Sequence, residues 1–336
     1  GWGWFWLLAA VAIIAALKTP LAHSELGATR WIKLGPVSFQ AAEPIKAAII
    51  IFFAYYVSYW GLNRWYNQLL ACLLAIALLG FLFFFSNNLS TVIVLFCICA
   101  VIILSSVKKP DLYWYFLLGL ALIIIAAIFV TVYLLMHQGA ENFRFVRIRA
   151  WLHPEEYAAD EGLQAMQARY AIGAGGFWGK GLGQSLIKFK LSYSYNDFIL
   201  AIICEELGVF GVIVMMTLFG YLLYRIYKIA QNAWDIEGKV LAIGVFTQIA
   251  LQLLINVMVV TSVIPTTGVT LPFFSAGGTS VVFLLAELGM VLNVDKYAKE
   301  RRFFEEAERH VAQMEQRGGI GAAGWRRRLD SARTRR

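Results

Sequence analysis

Long runs of apolar residues dominate the chain, and eight of them are long enough to cross a lipid bilayer as helices. A spanning helix needs about 17–25 mostly apolar residues, whereas the strands of membrane barrels alternate in short segments. The pattern therefore predicts an all-α integral membrane protein, a polytopic helical bundle. The eight runs lie at about 3–19, 45–61, 68–86, 89–107, 112–136, 197–227, 239–261 and 276–295.

Composition supports a membrane protein and excludes a soluble one. Hydrophobic residues make up 60% of the chain and charged residues only 15%, compared with about 25% charged residues in soluble domains. If the C-terminal tail is cytoplasmic and the spans alternate, 18 of the 29 Lys and Arg residues fall on the inner side. This distribution obeys the positive-inside rule in the short loops and explains the basic tail without nucleic-acid binding. We therefore expect a multi-pass membrane protein with a cytoplasmic C-terminal tail.

The same pattern divides the chain into a bundle and a tail. The bundle covers residues 1–296 and includes a large outer loop at 137–196. Residues 297–336 follow as a charged cytoplasmic helix and a basic tail. Two outer segments, 18–46 and 137–196, are unusually basic, which indicates either binding of an anionic group or the charge tolerance of long loops. The glycine run at 173–183 does not match a phosphate-binding P-loop in its glycine spacing or in the residue after its lysine.

Carboxylates at membrane depth are costly and carry functional hypotheses by default. Glu43 and Lys46 are three residues apart, so they share a helix face and form either a structural ion pair or part of a site. Asp197 opens an apolar helix, where a carboxylate acts either as a cap or as a functional group. Glu205 and Glu206 lie two turns deeper, where we expect polar partners. The complete set is Glu43, Asp197, Glu205, Glu206 and Glu287.

Five motifs in order resemble the SEDS family (shape, elongation, division and sporulation), the group of FtsW, RodA and SpoVE. They are Gly27-Ala-Thr-Arg30-Trp31-Ile with Phe39-Gln40 and Glu43-x-x-Lys46; the stretch 147–154 with the glycine run; Asn196-Asp197-Phe198-Ile199 with Glu205-Glu206-Leu207-Gly208; Gln252-x-x-x-Asn256; and Pro265-Thr-Thr-Gly268 through Ser275 to Ser280. The chain departs from the family pattern at Ala41-Ala42, Tyr195-Asn196 and Ala276, where Pro-Ser, His-Thr and Tyr are usual. The family fold has ten spans, so the resemblance implies two further spans upstream.

The resemblance implies a peptidoglycan glycosyltransferase of the bacterial cytoplasmic (inner) membrane that polymerises lipid II at the outer membrane face. Asp197 is then the catalytic carboxylate, acting as general base on the acceptor 4-hydroxyl, with inversion and departure of undecaprenyl pyrophosphate. Substrate binding is expected from the outer cationic residues, from the deeper Glu43–Lys46 pair and from a serine of the last motif. These residues are Arg30, Glu43, Lys46, Arg147, Arg149, Lys180 and Ser275.

The resemblance also carries expectations about partners and cofactors. A class B penicillin-binding protein transpeptidase and the divisome or elongasome proteins are the expected partners. Family activity is associated with a divalent cation, which implies Mg²⁺ or Mn²⁺, although the sequence shows no dedicated ligand set, and no organic cofactor is expected. Within the family, the 87–92 stretch and the long charged tail favour an FtsW-like member over a RodA-like one.

Two other functions fit the same residues. A lipid II flippase would use the same lipid and charges but form no bond, and a non-enzymatic divisome scaffold would only recruit the transpeptidase. Dependence of polymer formation on Asp197 distinguishes the enzyme from both. An ion-coupled transporter fits less well, because the sequence shows neither paired broken helices nor an inverted repeat.

Overall fold

The computed structural model describes most of the apolar runs as helices. It describes residues 2–19, 22–25, 28–34, 37–86, 88–107, 143–153, 156, 161–186, 197–275, 278–316 and 324–326. The helices in this part of the chain are α1 (Trp2–Ala16), α2 (Ala42–Trp60), α3 (Trp65–Ser86), α4 (Leu89–Ser106), α5 (Phe143–Leu152), α6 (Glu161–Gly175), α7 (Ile199–Asn232), α8 (Ile236–Val260) and α9 (Gly278–Gln316).

The predicted multi-pass membrane architecture is confirmed, although the number of spans is not. Helices α3, α4, α7, α8 and α9 are long and apolar enough to cross a membrane. Helix α1 is apolar but has only 15 residues, and α2 carries a Glu and a Lys in its first turns. The predicted span at 112–136 lies outside the described residues, so the count of eight spans stays a prediction.

Helix α8 lies at the centre of the bundle, where it contacts α2, α4, α7 and α9. Gly244 permits the closest of these approaches. A Cβ atom at this position would lie 2.6 Å from Ile50 of α2 and 3.2 Å from Ile102 of α4. Because real Cβ atoms do not tolerate such a contact, glycine allows three helices to pack side by side along the middle of the bundle.

The segment between α1 and α2 contains three short strands that the apolar pattern did not predict. They are β1 (Ala22–Glu25), β2 (Ala28–Leu34) and β3 (Val37–Gln40), and they form an antiparallel sheet in the order β1-β2-β3. Strand β2 contacts α3, and β3 contacts α9 and leads directly into α2. The sheet therefore fixes where α2 starts, and with it the first turns that carry Glu43 and Lys46.

Helix α9 continues from the bundle into the charged segment without a break. Its 39 residues correspond to about 58 Å, roughly twice the hydrocarbon thickness of a bilayer. Beyond the bundle, the guanidinium of Arg302 donates to the carbonyl oxygen of Asn232 at 2.7 Å, near the end of α7. The charged helix predicted from residue 297 is thus the extension of the last span.

Candidate active site around Asp197

Asp197 lies in the turn that leads into α7, and a side chain from α8 holds its backbone. The amide nitrogen of Asn256 donates to the carbonyl oxygens of Asp197 and Val269, both at 2.9 Å. Asn256 is completely buried, whereas Asp197 is partly exposed. One amide therefore joins the start of α7 to the segment that follows α8, and it fixes the backbone that presents the Asp197 carboxylate.

Asp197 immediately precedes the N-cap residue of α7. The N-cap position is occupied by Phe198, whose side chain is buried. Asp197 therefore lies near the positive end of the helix dipole, which attracts negative charge. Both interpretations of Asp197, as a cap and as a functional group, stay predictions.

Helix α8 presents a row of amide side chains to the inside of the bundle. Gln248, Gln252 and Asn256 are four residues apart, so they lie on one helix face, and all three are at least 97% buried. Gln248 donates to the Oε2 atom of Glu287 on α9 at 2.8 Å. A polar path therefore extends from the Asp197 turn towards the middle of the bundle.

Glu43 and Lys46 form the ion pair that their spacing predicts. The Lys46 ammonium donates to the Oε1 atom of Glu43 at 2.7 Å, and both side chains are almost completely buried. The two charges also lie within electrostatic range of Glu287. At this depth each charge depends on the other, because an unpaired charge in a low-dielectric interior is very costly.

A cleft lies between the ion pair and the segment that Asn256 holds. Val269, which accepts a hydrogen bond from Asn256, is part of its wall, so the cleft and the Asp197 turn share one support. The lining residues are Gln40, Ala42, Glu43, Lys46, Thr91, Val94, Gln252, Gly268, Val269 and Thr270.

Lys180 is engaged with a buried carboxylate of α7. Its ammonium lies 2.7 Å from the Oε1 atom of Glu205, whose side chain is inaccessible to solvent. Ser185 donates to the other Glu205 oxygen at 2.5 Å, and the backbone nitrogen of Leu186 donates to Oε1 at 3.3 Å. The predicted polar partner of Glu205 is therefore the loop at 176–186, and a substrate-binding role for Lys180 stays a prediction.

The same loop pairs with the backbone of α7 at a kink. Gly208 has a φ of 65°, and a Cβ atom there would collide with Gly179 and Phe177. The kink frees backbone carbonyl groups of α7. The backbone nitrogens of Lys180 and Gly181 donate to the carbonyl oxygens of Glu205 and Glu206, respectively, at 2.9 Å. Close backbone approach and positive φ both require glycine at residue 208. The glycine run is thus a packing element, in agreement with the rejection of a P-loop.

The remaining predicted site residues lie on different elements of the fold. Arg147 and Arg149 are partly buried on α5, which is tied to the end of α8 by a hydrogen bond from Trp151 to the carbonyl of Ser262. The Ser275 hydroxyl accepts from the backbone nitrogen of its turn neighbour four residues earlier at 2.8 Å. Arg30 lies in β2, but its side chain is outside the described residues. The substrate-binding roles of these four residues stay predictions.

Gln248 is the polar residue that sequence reasoning missed, although Gln252 and Asn256 appear in a motif without an assigned role. Their spacing of four within an otherwise apolar helix is the signal that could have identified the row. Polar side chains in a membrane helix need partners, so a regular row of them predicts a polar interface on that face.

The described residues offer no protein cage for the divalent cation that the resemblance implies. Within these ranges no group of three or more His, Cys, Asp or Glu side chains converges. Mg²⁺ is commonly held by one or two carboxylates together with substrate phosphates. Asp197 is the carboxylate of this site that could contribute in that way.

Comparison with known proteins shows which family has this sequence pattern. Residues 2–300 match the profile of a family described as cell cycle protein, which comprises FtsW, RodA and SpoVE. The chain belongs to this family. The SEDS resemblance drawn from the five motifs is thereby confirmed, as is the helical membrane fold that it implied.

Curated relatives within the SEDS family carry consistent names. The probable peptidoglycan glycosyltransferase FtsW of Trichlorobacter lovleyi is 32% identical over 84% of this chain and 73% of its own length. The protein of the same name from Bacillus subtilis is 32% identical over 82% of this chain and 69% of its own length. The stage V sporulation protein E of Bacillus subtilis is 45% identical over 47% of this chain and 43% of its own length.

Solved structures of SEDS proteins share the fold. A chain from a peptidoglycan synthase complex that coordinates polymerization and crosslinking aligns with a TM-score of 0.71 and 25% identity, covering 88% of this chain and 81% of that one. The rod shape determining protein RodA of Thermus thermophilus aligns with a TM-score of 0.60 and 23% identity, covering 88% and 78%. The second likeness supports the fold alone.

Proposed function

We propose that this chain is the membrane bundle of a peptidoglycan glycosyltransferase, with Asp197 as its general base. The names of the FtsW relatives support the activity. The observation that carries the assignment of the base is the accessibility of Asp197. Glu43, Glu205 and Glu287 are buried and bonded to other side chains of the bundle. Glu206 is partly exposed but accepts a hydrogen bond from the backbone nitrogen of Ser185, whereas Asp197 is partly exposed on an anchored backbone at the start of α7.

The proposed reaction joins two lipid II molecules at the outer membrane face. Asp197 takes the proton from the 4-hydroxyl of the acceptor sugar, and that oxygen attacks the anomeric carbon of the donor. The bond between this carbon and the pyrophosphate oxygen breaks, undecaprenyl pyrophosphate leaves with the electron pair, and the configuration inverts. Cationic side chains of the outer segments would stabilise the departing pyrophosphate. Arg30, Arg147 and Arg149 are the candidates, because Lys180 is engaged by Glu205.

The proposal also covers the partner protein, the site of wall synthesis and the orientation in the membrane. The neighbour from a peptidoglycan synthase complex supports a class B penicillin-binding protein transpeptidase as the partner. The FtsW names of the relatives support a role in septal wall synthesis, within the divisome, over an elongasome role. The charge distribution supports a cytoplasmic tail and an outer active site.

A lipid II polymerisation assay tests the proposal. The full-length protein and its transpeptidase partner are compared with the Asp197→Asn variant, with Mg²⁺ or Mn²⁺ and with EDTA. We expect glycan strands from the wild type, and a loss of about 100–10,000-fold in the variant, the usual contribution of a general base. EDTA should suppress the activity and either metal restore it.

Three results would redirect the assignment. Equal strand formation by a folded Asp197→Asn variant would remove Asp197 as the base. No strands from either protein, together with translocation of labelled lipid II across vesicles, would favour the flippase. Intact partner binding and division in cells that carry only the variant would favour the scaffold.

A further inference from the structure

Four side-chain oxygens at the junction of α2, α8 and α9 are buried and have no hydrogen-bond partner in the described part of the chain. They are Glu43 Oε2, Gln248 Oε1, Gln252 Oε1 and Glu287 Oε1. The four residues are no more than 3% exposed. Buried acceptors without a donor are costly, and in native proteins such groups mark a bound water or ion.

A hydrogen bond, a shared cleft and one helical turn link the four residues. Gln248 and Glu287 are hydrogen bonded through their other polar atoms at 2.8 Å. Glu287 is within electrostatic range of Glu43 and Lys46, and Gln252 shares the wall of the cleft with that pair. Gln248 and Gln252 are one helical turn apart on the same face of α8.

The charge at the junction depends on Glu287. With Glu43 and Glu287 both ionised, two negative charges face the single positive charge of Lys46. Uncompensated charge at membrane depth is strongly unfavourable. A proton on Glu287 or one bound monovalent cation would each neutralise the junction, whereas a divalent ion would leave it positive.

The four acceptors determine which positive species fits best. A single proton satisfies one pair of oxygens and leaves the others unpaired. Water molecules add lone pairs as well as donors, and they add no charge. A hard monovalent cation can be coordinated by several carboxylate and amide oxygens at once, and it supplies a positive charge.

We propose that Glu43, Gln248, Gln252 and Glu287 bind one alkali cation at the α2–α8–α9 junction. The cation joins three helices one turn below Asn256, the residue that holds the Asp197 backbone. The Oδ1 atom of Asn256 is also buried without a hydrogen-bond partner among the described residues, but it lies one turn beyond Gln252 and about 12 Å along α8 from Gln248, at the edge of this group. The site stabilises the support of Asp197 without taking part in bond formation, and it does not depend on the proposed activity.

Thermal unfolding of the purified full-length protein in detergent tests the site. The unfolding midpoint is measured in NaCl, KCl and choline chloride at equal ionic strength, so that screening is constant. We expect Na⁺ or K⁺ to raise the midpoint by about 3–6 °C at concentrations well above the dissociation constant. The ion that gives the larger shift identifies the preferred cation. Binding of radioactive ²²Na⁺ or ⁸⁶Rb⁺ provides a direct second measurement.

Three variants separate a specific site from a general salt effect. Glu287→Gln should abolish the cation-dependent shift and the radioactive binding, and Gln252→Met, which removes one neutral oxygen, should weaken both. Glu205→Gln is the matched control: it alters a buried carboxylate whose hydrogen bonds are satisfied, so it should lower the midpoint but keep the shift. Equal midpoints in choline and alkali chlorides with no ion binding by the wild type, or an undiminished shift in Glu287→Gln, would overturn the proposal.

Discussion

Replacing Lys46 by Met should destabilise the bundle strongly, because it leaves the Glu43 carboxylate without its partner. The pair is separated by 2.7 Å, and neither side chain is more than 4% exposed. Neither charge can therefore recover its hydration by a change of rotamer. Methionine has nearly the length of the lysine chain, so the variant removes the charge with little change in packing.

The size of the effect follows from the burial of the pair. Removing one partner of a buried ion pair costs about 3–5 kcal/mol, whereas replacing both with neutral groups of similar volume is often nearly neutral. At about 2 °C per kcal/mol for a chain of this size, Lys46→Met should lower the unfolding midpoint by about 6–10 °C. The double variant with Glu43→Gln should recover most of this loss.

The measurement is a double-mutant cycle on the protein in detergent, followed by tryptophan fluorescence during heating. The cycle uses Lys46→Met, Glu43→Gln and the double variant. All are measured in choline chloride, so that alkali cations do not contribute. A single variant as stable as the wild type, or a double variant as unstable as Lys46→Met, would refute the reasoning from burial. A stable double variant that makes no glycan strands would instead place the pair in the active site.

Three further predictions concern the supports of the site. Asn256→Ala removes the hydrogen bonds that join the Asp197 carbonyl to that of Val269, and it should lower glycan-strand formation by about tenfold or more while the protein stays folded; unchanged turnover would contradict the anchoring role. Lys180→Met weakens the contact of the 176–186 loop with Glu205, so limited proteolysis should cut this loop faster than in Lys180→Arg; equal rates would show that the ion pair does not hold the loop. Gly208→Ala should cost about 2–4 kcal/mol, from positive φ and collision with Gly179, in thermal unfolding. Gly220→Ala, in open space on the same helix, should be nearly neutral.

Part of the site could be predicted because it depends on local spacing. Glu43 and Lys46 are three residues apart on a helix, and this separation brings the two side chains together whatever surrounds them. The location of Asp197 at the start of α7 likewise follows from the border between a polar and an apolar run. The partner of Glu205 could not be predicted in the same way, since Lys180 and Ser185 come from a loop 20 or more residues earlier in the chain.

The sequence by itself determined which segments become helices and that they lie in a membrane. Runs of about 20 apolar residues cannot be solvated by water, and in lipid each backbone polar group must bond within its own helix. Such a requirement is local, so it can be read along the chain. The ordered motifs added the SEDS family, which the comparison confirmed.

Only the tertiary structure decided which polar residues of different helices contact one another. The neighbours of Gln248 and Gln252 come from α2 and α9, and the anchoring of Asp197 by Asn256 spans 59 residues. The short sheet between α1 and α2 also depends on pairing between strands, which the apolar pattern does not encode. Contacts of this kind depend on the direction and rotation of packed helices. Those quantities arise from side-chain fit across the whole bundle and not from any single segment.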